Sequence, residues 1–405
     1  MTLRISALAG ASAGILSSFF FLSLAIGAGP YVPLILSIAC CVALWMWYRP
    51  PSPVASARPH PWLLIAFFVV LAASVTAFIY IASKQPHGYR EAYSIWNLHA
   101  RFLERGGAHW TSLFSKTLNW SHPDYPLLIP ALVAQFWALL QTETVILPIA
   151  VAFFFTFGTV AVLIGAIRQF RGWNQALIAG TFLLGSAELI EQGVVQYADV
   201  PLAFYLMAAL ALLAVGDAKS TTLAGAMAGF AAWTKNEGLL FIVVLAAALL
   251  IVKKRISAEF IIGLAPVLAV VAFFKLHYAP LLLKPEAFDF GRVVTVLQGF
   301  VVSAFELGTF LVPAILLLAA YGWLVGFKID PQQRTSVAIV ATTLALMLLG
   351  DIVFYVLFAA DPAHPEAPYI QLFPSALLGF FMATANVEFE REKPKPRKVA
   401  ATRHR

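Results

Sequence analysis

The side chains best suited to take part in a reaction lie in one polar segment, residues 84–125, of a chain that is otherwise strongly apolar. Three acids, Glu91, Glu104 and Asp124, fall in this segment, and Asp199 opens an apolar run further on. A carboxylate held beside a membrane surface can accept the proton of a hydroxyl or amine as that group attacks a substrate. These acids are candidates for general base catalysis, although any one of them alone is also explained as part of a polar loop.

Four histidines in the same segment raise the question of a metal site. Successive histidines stand ten or more residues apart, which matches no compact metal-binding motif. We therefore expect interfacial histidines and no metal site. The four are His87, His99, His109 and His122.

Composition indicates which solvent surrounds the protein. Apolar residues make up 61 % of 405 positions and charged residues 12 %, whereas soluble domains have roughly 45–50 % and 25 %. The composition excludes a soluble globular domain and predicts an all-α, polytopic integral membrane bundle. Basic residues at span ends and in the tail account for the net charge of +7. Such residues attract anionic lipid, so we expect membrane lipid as a partner and no nucleic acid.

Apolar runs divide the chain into candidate membrane spans. A helix needs roughly 17–25 mostly apolar residues to cross about 30 Å of hydrocarbon. On this basis we predict about twelve crossings: Ile5–Gly27, Tyr31–Tyr48, Trp62–Ser83, Val145–Ile167, Gln175–Leu189, Val200–Gly216, Leu223–Trp233, Leu239–Val252, Phe260–Tyr278, Leu297–Val325, Val337–Phe358 and Tyr369–Val387.

Basic clusters in short loops mark the cytoplasmic side of a membrane protein. They are Arg4, Arg49–Arg58, Arg168 with Arg171, Lys253–Arg255, Lys328 with Arg334, and the tail Arg391–Arg405. Threading the spans between them predicts that both termini are cytoplasmic. The segments expected on the outer face are Lys84–Asp124, Glu188–Asp199, Thr234–Gly238, Ala279–Gln298 and Ala359–Pro368.

The apolar piece Pro126–Leu140 decides whether this topology closes, because a crossing there would invert every later loop. We expect a re-entrant or interfacial helix; the alternative is a kinked crossing, with Gln175–Leu189 or Leu223–Trp233 failing to cross. An amphipathic stretch at Ala92–Leu103 predicts a further interfacial helix. The chain then divides into N-terminal spans 1–83, an outer loop 84–125, a core module 126–278, C-terminal spans 279–387 and a basic tail 388–405.

Four polar segments in this order resemble a known family. They are Glu91–Arg101 (EAYSIWNLHAR), His122–Pro130 (HPDYPLLIP), Tyr197–Ala203 (YADVPLA) and Thr234–Leu239 (TKNEGL). Together they are similar to the GT-C class of membrane glycosyltransferases, the broad group with the protein O-mannosyltransferases, the lipid A aminoarabinose transferase and the family 39-like bacterial enzymes. The resemblance covers roughly residues 85–240.

The resemblance implies transfer of a sugar from a polyprenyl-phosphate carrier to an acceptor on the outer face of a bacterial-type inner membrane. An acid early in the first large outer loop is the family's base, and Glu91 stands at the matching position, where the family pattern commonly shows Asp. Asp124 is the second candidate for this role. Asp199 resembles the family's second acid, which positions substrate or the loop; a helix N-cap is its simpler role.

A departing polyprenyl phosphate gains negative charge, so cations directed at it lower the barrier. Lys235 fits this role by resemblance and by its predicted side, whereas Arg101 and Arg292 fit by side only. A surface ion pair with a neighbouring acid is the alternative for Lys235. Residues expected to line the substrate site are Tyr89, Trp96, His122, Tyr125 and Glu237.

The expected function is therefore sugar transfer from a lipid-linked donor, with no certain cofactor and with an acceptor that is a glycan, lipid or protein. Two other functions remain open: a transporter or flippase of a lipid-linked intermediate, and a noncatalytic subunit of a membrane assembly. Sparse ionisable residues within the spans argue mildly against ion or proton transport.

Overall fold

The long apolar runs form α-helices in the computed structural model, which describes residues 2–56, 58–279, 289–306, 308–309, 312–358 and 366–387. The first eight helices are α1 Thr2–Ala25, α2 Tyr31–Trp47, α3 Pro61–Lys84, α4 Asn97–Arg105, α5 Leu128–Leu140, α6 Ile146–Arg171, α7 Trp173–Leu184 and α8 Ala187–Val194. The others are α9 Asp199–Val215, α10 Ala218–Thr234, α11 Glu237–Lys253, α12 Ala258–His277, α13 Phe290–Glu306, α14 Ala314–Val325, α15 Arg334–Leu357 and α16 Glu366–Ala383.

Short elements join these helices. The π-helical turn Ala92–Trp96 precedes α4, and the 3-10 turns are Gly107–Phe114, Lys116–Ser121 and Pro331–Gln333. Two strands of two residues each, β1 Gly308–Thr309 and β2 Val312–Pro313, pair antiparallel between α13 and α14. The prediction of an all-α bundle is confirmed. This strand pair is the only β-ladder among the described residues.

Helix α9 is the centre of the bundle. Every residue from Asp199 to Leu213 is buried, and α9 packs against α6, α10 and α16. A helix that is apolar on all sides is stable only when other helices or lipid surround it. The first residue of α9 is a buried acid, so the helix that organises the core also brings a carboxylate to one end of the bundle.

Glycines allow α10 and α12 to approach closely. A Cβ on Gly263 would lie 1.7 Å from the carbonyl oxygen of Thr222, and one on Gly225 would lie 2.0 Å from that of Phe260. Small residues at such crossings allow close backbone packing, which is typical of helices in membranes. This contact holds the N-terminal end of α12 against α10.

The predicted basic loops meet at one end of the bundle, here called the basic end. Arg4 Nε donates to the carbonyl of Tyr48 at 2.8 Å, and Gln169 Nε2 donates to that of Pro51 at 3.1 Å. Arg171 Nη2 donates to the carbonyl of Lys328 at 3.0 Å. Loops that are far apart in sequence therefore share one end, whereas the assignment of this end to the cytoplasm remains a prediction.

The count of about twelve crossings is wrong. Among the described residues, five helices are long and apolar enough to span a membrane, namely α1, α3, α6, α12 and the helix that includes α15, or six if α8 and α9 form one broken span. The predicted span Gln175–Leu189 divides between α7 and α8, and Leu297–Val325 is interrupted by the strand pair. Hydropathy misses such breaks because apolar side chains also fill the kinks between short helices.

The doubtful segment Pro126–Leu140 forms α5, which has 13 residues. At 1.5 Å per residue it is about 20 Å long, less than the roughly 30 Å of hydrocarbon. Gln135 Nε2 donates to the carbonyl of Pro30 at 3.1 Å, so α5 packs beside the loop between α1 and α2. This length fits a re-entrant helix. Whether the chain crosses the membrane at α5 stays a prediction, and so does the division of the chain into five regions. The predicted tail 388–405 lies outside the described residues.

Candidate active site

The outer loop folds back over the end of the bundle opposite the basic end and is anchored at the break between α8 and α9. Tyr89 N donates to the carbonyl of Val195 at 3.2 Å. Asn97 Nδ2 donates to Gln196 Oε1 at 3.0 Å. Gln196 has a φ of 62°, a left-handed conformation that is unfavourable for a side chain of this type. These contacts hold a strained turn three residues before Asp199.

A buried histidine fixes the later part of the loop. His99 Nε2 lies 2.9 Å from the carbonyl oxygen of Ser121. Burial lowers the pKa of His99 to about 4, so its ring is neutral at ordinary pH. His122 follows with a φ of 50°, and this left-handed residue turns the chain toward Asp124.

Three aromatic rings of the outer loop stack on one another. The rings of Trp96 and Tyr125 are 5.5 Å apart and nearly parallel. The rings of His122 and Tyr125 are 5.0 Å apart and also stacked. Trp96 and Tyr125 belong to different ends of the outer loop, so the stack joins them into one wall. All three were predicted to line a substrate site.

An ion triad, of which Asp199 and Lys235 are buried, lies at the start of α9 and α11. Lys235 Nζ is 2.9 Å from Asp199 Oδ1 and 3.0 Å from Glu237 Oε1. Lys235 is only 6 % exposed, so this is not the surface ion pair that was the alternative interpretation. Burial opposes its charge, but the carboxylates of Asp199 and Glu237 outweigh this effect and raise the pKa of Lys235 well above its ordinary value.

Local backbone geometry produces this triad. Helix α10 ends at Thr234, and Lys235 adopts an extended conformation with φ −155° and ψ 158°. A Cβ on Gly238 would lie 2.1 Å from the carbonyl oxygen of Ala231, so glycine permits the tight turn into α11. Asp199 does not act as an N-cap, because its carboxylate accepts from Lys235 Nζ and from Gln371 Nε2 at 2.6 Å.

A second polar group lies beside the triad. Asn236 Nδ2 donates to Asp124 Oδ2 at 2.8 Å. Lys275 Nζ donates to Asn236 Oδ1 at 2.6 Å and to the carbonyl of Asp124 at 2.5 Å. This network ties the outer loop to α12 and engages one oxygen of the Asp124 carboxylate, which makes Asp124 a weaker candidate base than Glu91.

Glu91 is half-buried near both groups. Its backbone N donates to the hydroxyl of Tyr197 at 3.2 Å, two residues before Asp199. Burial raises the pKa of Glu91 above its ordinary value, and the positive charge of Lys235 only partly offsets this. Desolvation of this kind favours a carboxylate that holds a proton readily, which a general base requires.

The structure does not bring every predicted residue to this place. Arg101 pairs with Glu143 at 3.3 Å and lies over the ring of Trp137, on the side where α4 meets α5. Arg292 donates to the carbonyls of Val356 and Tyr355 at the end of α15, at 2.6 and 3.0 Å. The side chain of Tyr89 is exposed.

Four residues at the site were not assigned a role from sequence: Asn236, Lys275, Asp351 and Gln371. Lys275 and Asp351 carried a usable signal, because an ionisable residue inside an apolar helix is commonly functional. Asn236 and Gln371 carried none, since an amide near a helix end is unremarkable in sequence. Within the described ranges, no three His, Cys, Asp or Glu side chains are grouped to hold a metal ion.

Comparisons with protein-family models, with curated proteins and with solved structures gave no match for this chain. The fold and the site define a helical protein that has several helices long and apolar enough to span a membrane, with a buried acid and lysine cluster at one end. The resemblance to GT-C enzymes therefore rests on the four sequence segments alone.

The raised pKa of Glu91 predicts an unusual acid limb in any reaction that uses it as a base. Activity should fall with decreasing pH at a value above that of an ordinary Glu, because protonation removes the base. Because the folded protein binds this proton more tightly than the unfolded chain does, the contribution of Glu91 to stability increases as pH falls through this window. A profile of kcat/KM against pH, with thermal stability measured in parallel, tests this. An acid limb at the ordinary pKa of Glu would contradict it.

Proposed function

We propose that the protein is a membrane glycosyltransferase that moves a sugar from a polyprenyl-phosphate carrier to an acceptor at the outer face of the membrane. One observation carries the proposal: a half-buried carboxyl with a raised pKa, Glu91, lies within electrostatic reach of the buried cation Lys235. A base and a cation on opposite sides of a reacting carbon are the two groups that such a displacement needs.

The proposed step is a displacement at the anomeric carbon. The acceptor hydroxyl oxygen forms a bond to this carbon while its proton passes to Glu91. The bond between the anomeric carbon and the phosphate oxygen breaks, and its electron pair remains on the polyprenyl phosphate. Inversion at the anomeric carbon follows from attack opposite the leaving group.

Lys235 receives the developing charge of the phosphate in this scheme. Its pair with the buried Asp199 keeps it protonated and positioned, whereas the side chain of Glu237 is 27 % exposed. A phosphate oxygen would replace Glu237 on the ammonium group. Arg101 takes no part in the scheme because it lies away from Lys235, with Glu143 and Trp137 where α4 meets α5.

Transport of a lipid-linked intermediate is the second candidate. Lys275 and Asp351 lie in two of the membrane-spanning helices and face the same cluster. Ionisable groups inside membrane spans commonly mark a substrate or ion pathway. In the sequence these ionisable residues look too sparse to favour transport, and their position beside one cluster is what supports that function.

Purified protein in detergent, supplied with polyprenyl-phosphate-linked hexoses and a panel of acceptors, tests the proposal. We expect transfer of the labelled sugar with release of polyprenyl phosphate. The same protein in liposomes, with donor confined to one leaflet, tests the alternative. Movement of donor between leaflets without any transfer would contradict the proposed function and favour transport.

A further inference from the structure

Four buried oxygens around the ion triad accept no hydrogen bond from any residue in the described ranges. They are Asp124 Oδ1, Glu237 Oε2, Asp351 Oδ2 and Gln371 Oε1. A buried acceptor without a donor destabilises a fold, and buried polar groups are otherwise nearly always paired. Four such oxygens at one end of the bundle leave acceptor positions open among the described residues, and a ligand with several hydrogen-bond donors would fill them.

Asp351 reaches this place through the packing of α15 against α11. A Cβ on Gly350 would lie 3.0 Å from the side chain of Leu240, three residues after Glu237. Asp351 is 3 % exposed, and the charges of Glu237 and Lys235 both act on its carboxyl. An acid inside a membrane-spanning helix is therefore directed at the triad with one oxygen unused.

Gln371 approaches the triad from α16, which packs against α9 and α15. Its Nε2 donates to Asp199 Oδ1, which fixes the orientation of the amide. The side chain is 1 % exposed and its Oε1 has no donor among the described residues. The amide thus uses its donor side to hold Asp199 and leaves its acceptor side available.

The unpaired oxygens can be matched against the three parts of a lipid-linked sugar: the phosphate, the isoprenoid chain and the sugar ring. A phosphate offers acceptors and negative charge, so it cannot bind to oxygens that are themselves acceptors and needs a cation such as Lys235. An isoprenoid chain offers no polar group. A sugar ring carries several hydroxyl donors within a few ångströms of one another, and buried acceptors bind hydroxyls with high discrimination.

We propose that Asp351 and Gln371, together with Glu237, form the subsite that recognises the sugar of the donor by accepting hydrogen bonds from its ring hydroxyls. This inference rests on the proposed function. It assigns the two ends of the donor to different helices: the phosphate to Lys235 between α10 and α11, and the sugar to α15 and α16.

Titration of the purified protein with two lipids tests the subsite: polyprenyl phosphate carrying a hexose, and bare polyprenyl phosphate. In Asp351→Asn we expect affinity for the hexose lipid to fall roughly tenfold or more, as for loss of a charged hydrogen bond. Affinity for bare polyprenyl phosphate should stay unchanged. Thermal stability without ligand should stay equal or rise, because the substitution removes a buried carboxylate of which one oxygen has no donor among the described residues.

The matched control is Asp330→Asn, an acid near the basic end that caps the turn Pro331–Gln333 and lies near Arg171. It should leave both affinities unchanged. Asp351→Leu, which leaves no unpaired polar atom at this position, carries the test if Asp351→Asn does not fold, with the same selective loss expected. Equal loss for both lipids, or no loss for the hexose lipid, would overturn the subsite alone. Wild-type protein that binds neither lipid would overturn the proposed function, and the subsite with it.

Discussion

Replacing Glu91 with Gln should reduce sugar transfer by about 10²- to 10⁴-fold, the usual contribution of a positioned general base. The substitution keeps the size of the side chain but removes its ability to accept the proton of the acceptor hydroxyl. The loss should appear in kcat more than in donor affinity, because the proton moves only as the new bond forms. The rate of transfer from a polyprenyl-phosphate hexose, measured with purified protein, gives the result.

Two further variants make this prediction specific. Glu91→Asp shortens the carboxylate by about one bond and should retain part of the activity, since the base is kept and only its position changes. Glu104→Gln changes an acid of the same loop whose neighbours are Glu143 and Arg105, and it should leave transfer unchanged. If Glu91→Gln transferred sugar at the wild-type rate, Glu91 would have no place in the mechanism and Asp124 would become the candidate base.

Replacing Lys235 with Met should abolish transfer and also destabilise the fold. Removing one partner of a buried ion pair costs about 3–5 kcal/mol, because the other charge is left uncompensated. Among the described residues, Gln371 would be the one side-chain donor left to Asp199. Thermal unfolding in detergent and the transfer assay measure the two effects separately.

A double variant separates stability from function. Adding Asp199→Asn to Lys235→Met removes the uncompensated carboxylate, so much of the lost stability should return while transfer stays absent. Lys219→Met is the matched control, because Lys219 is exposed at the other end of α10 and contacts the carbonyl of Trp47. Recovery of transfer in the double variant would show that Lys235 only stabilises the fold.

Much of the site was predictable because it depends on local order along the chain. The sequence places Glu91, Asp199 and Lys235 at ends of apolar runs, and the alternation of basic and polar loops assigns all three to one side of the membrane. The structure brings these three residues together, and the proposed chemistry of each remains to be tested. Arg101 was assigned to the same side of the membrane, yet it pairs with Glu143 away from the site. The side of the membrane does not determine where on that face a residue lies.

The sequence by itself determined the class of the protein and the end of the bundle at which its polar residues gather. Hydropathy depends on composition along the chain, so it identifies an all-α membrane bundle without knowledge of contacts. Only the tertiary structure decided how many helices are long enough to cross and where each run breaks. It also decided that Asn236, Lys275, Asp351 and Gln371 join the acids of the outer loop. Those decisions depend on packing between helices far apart in sequence, which no local pattern records.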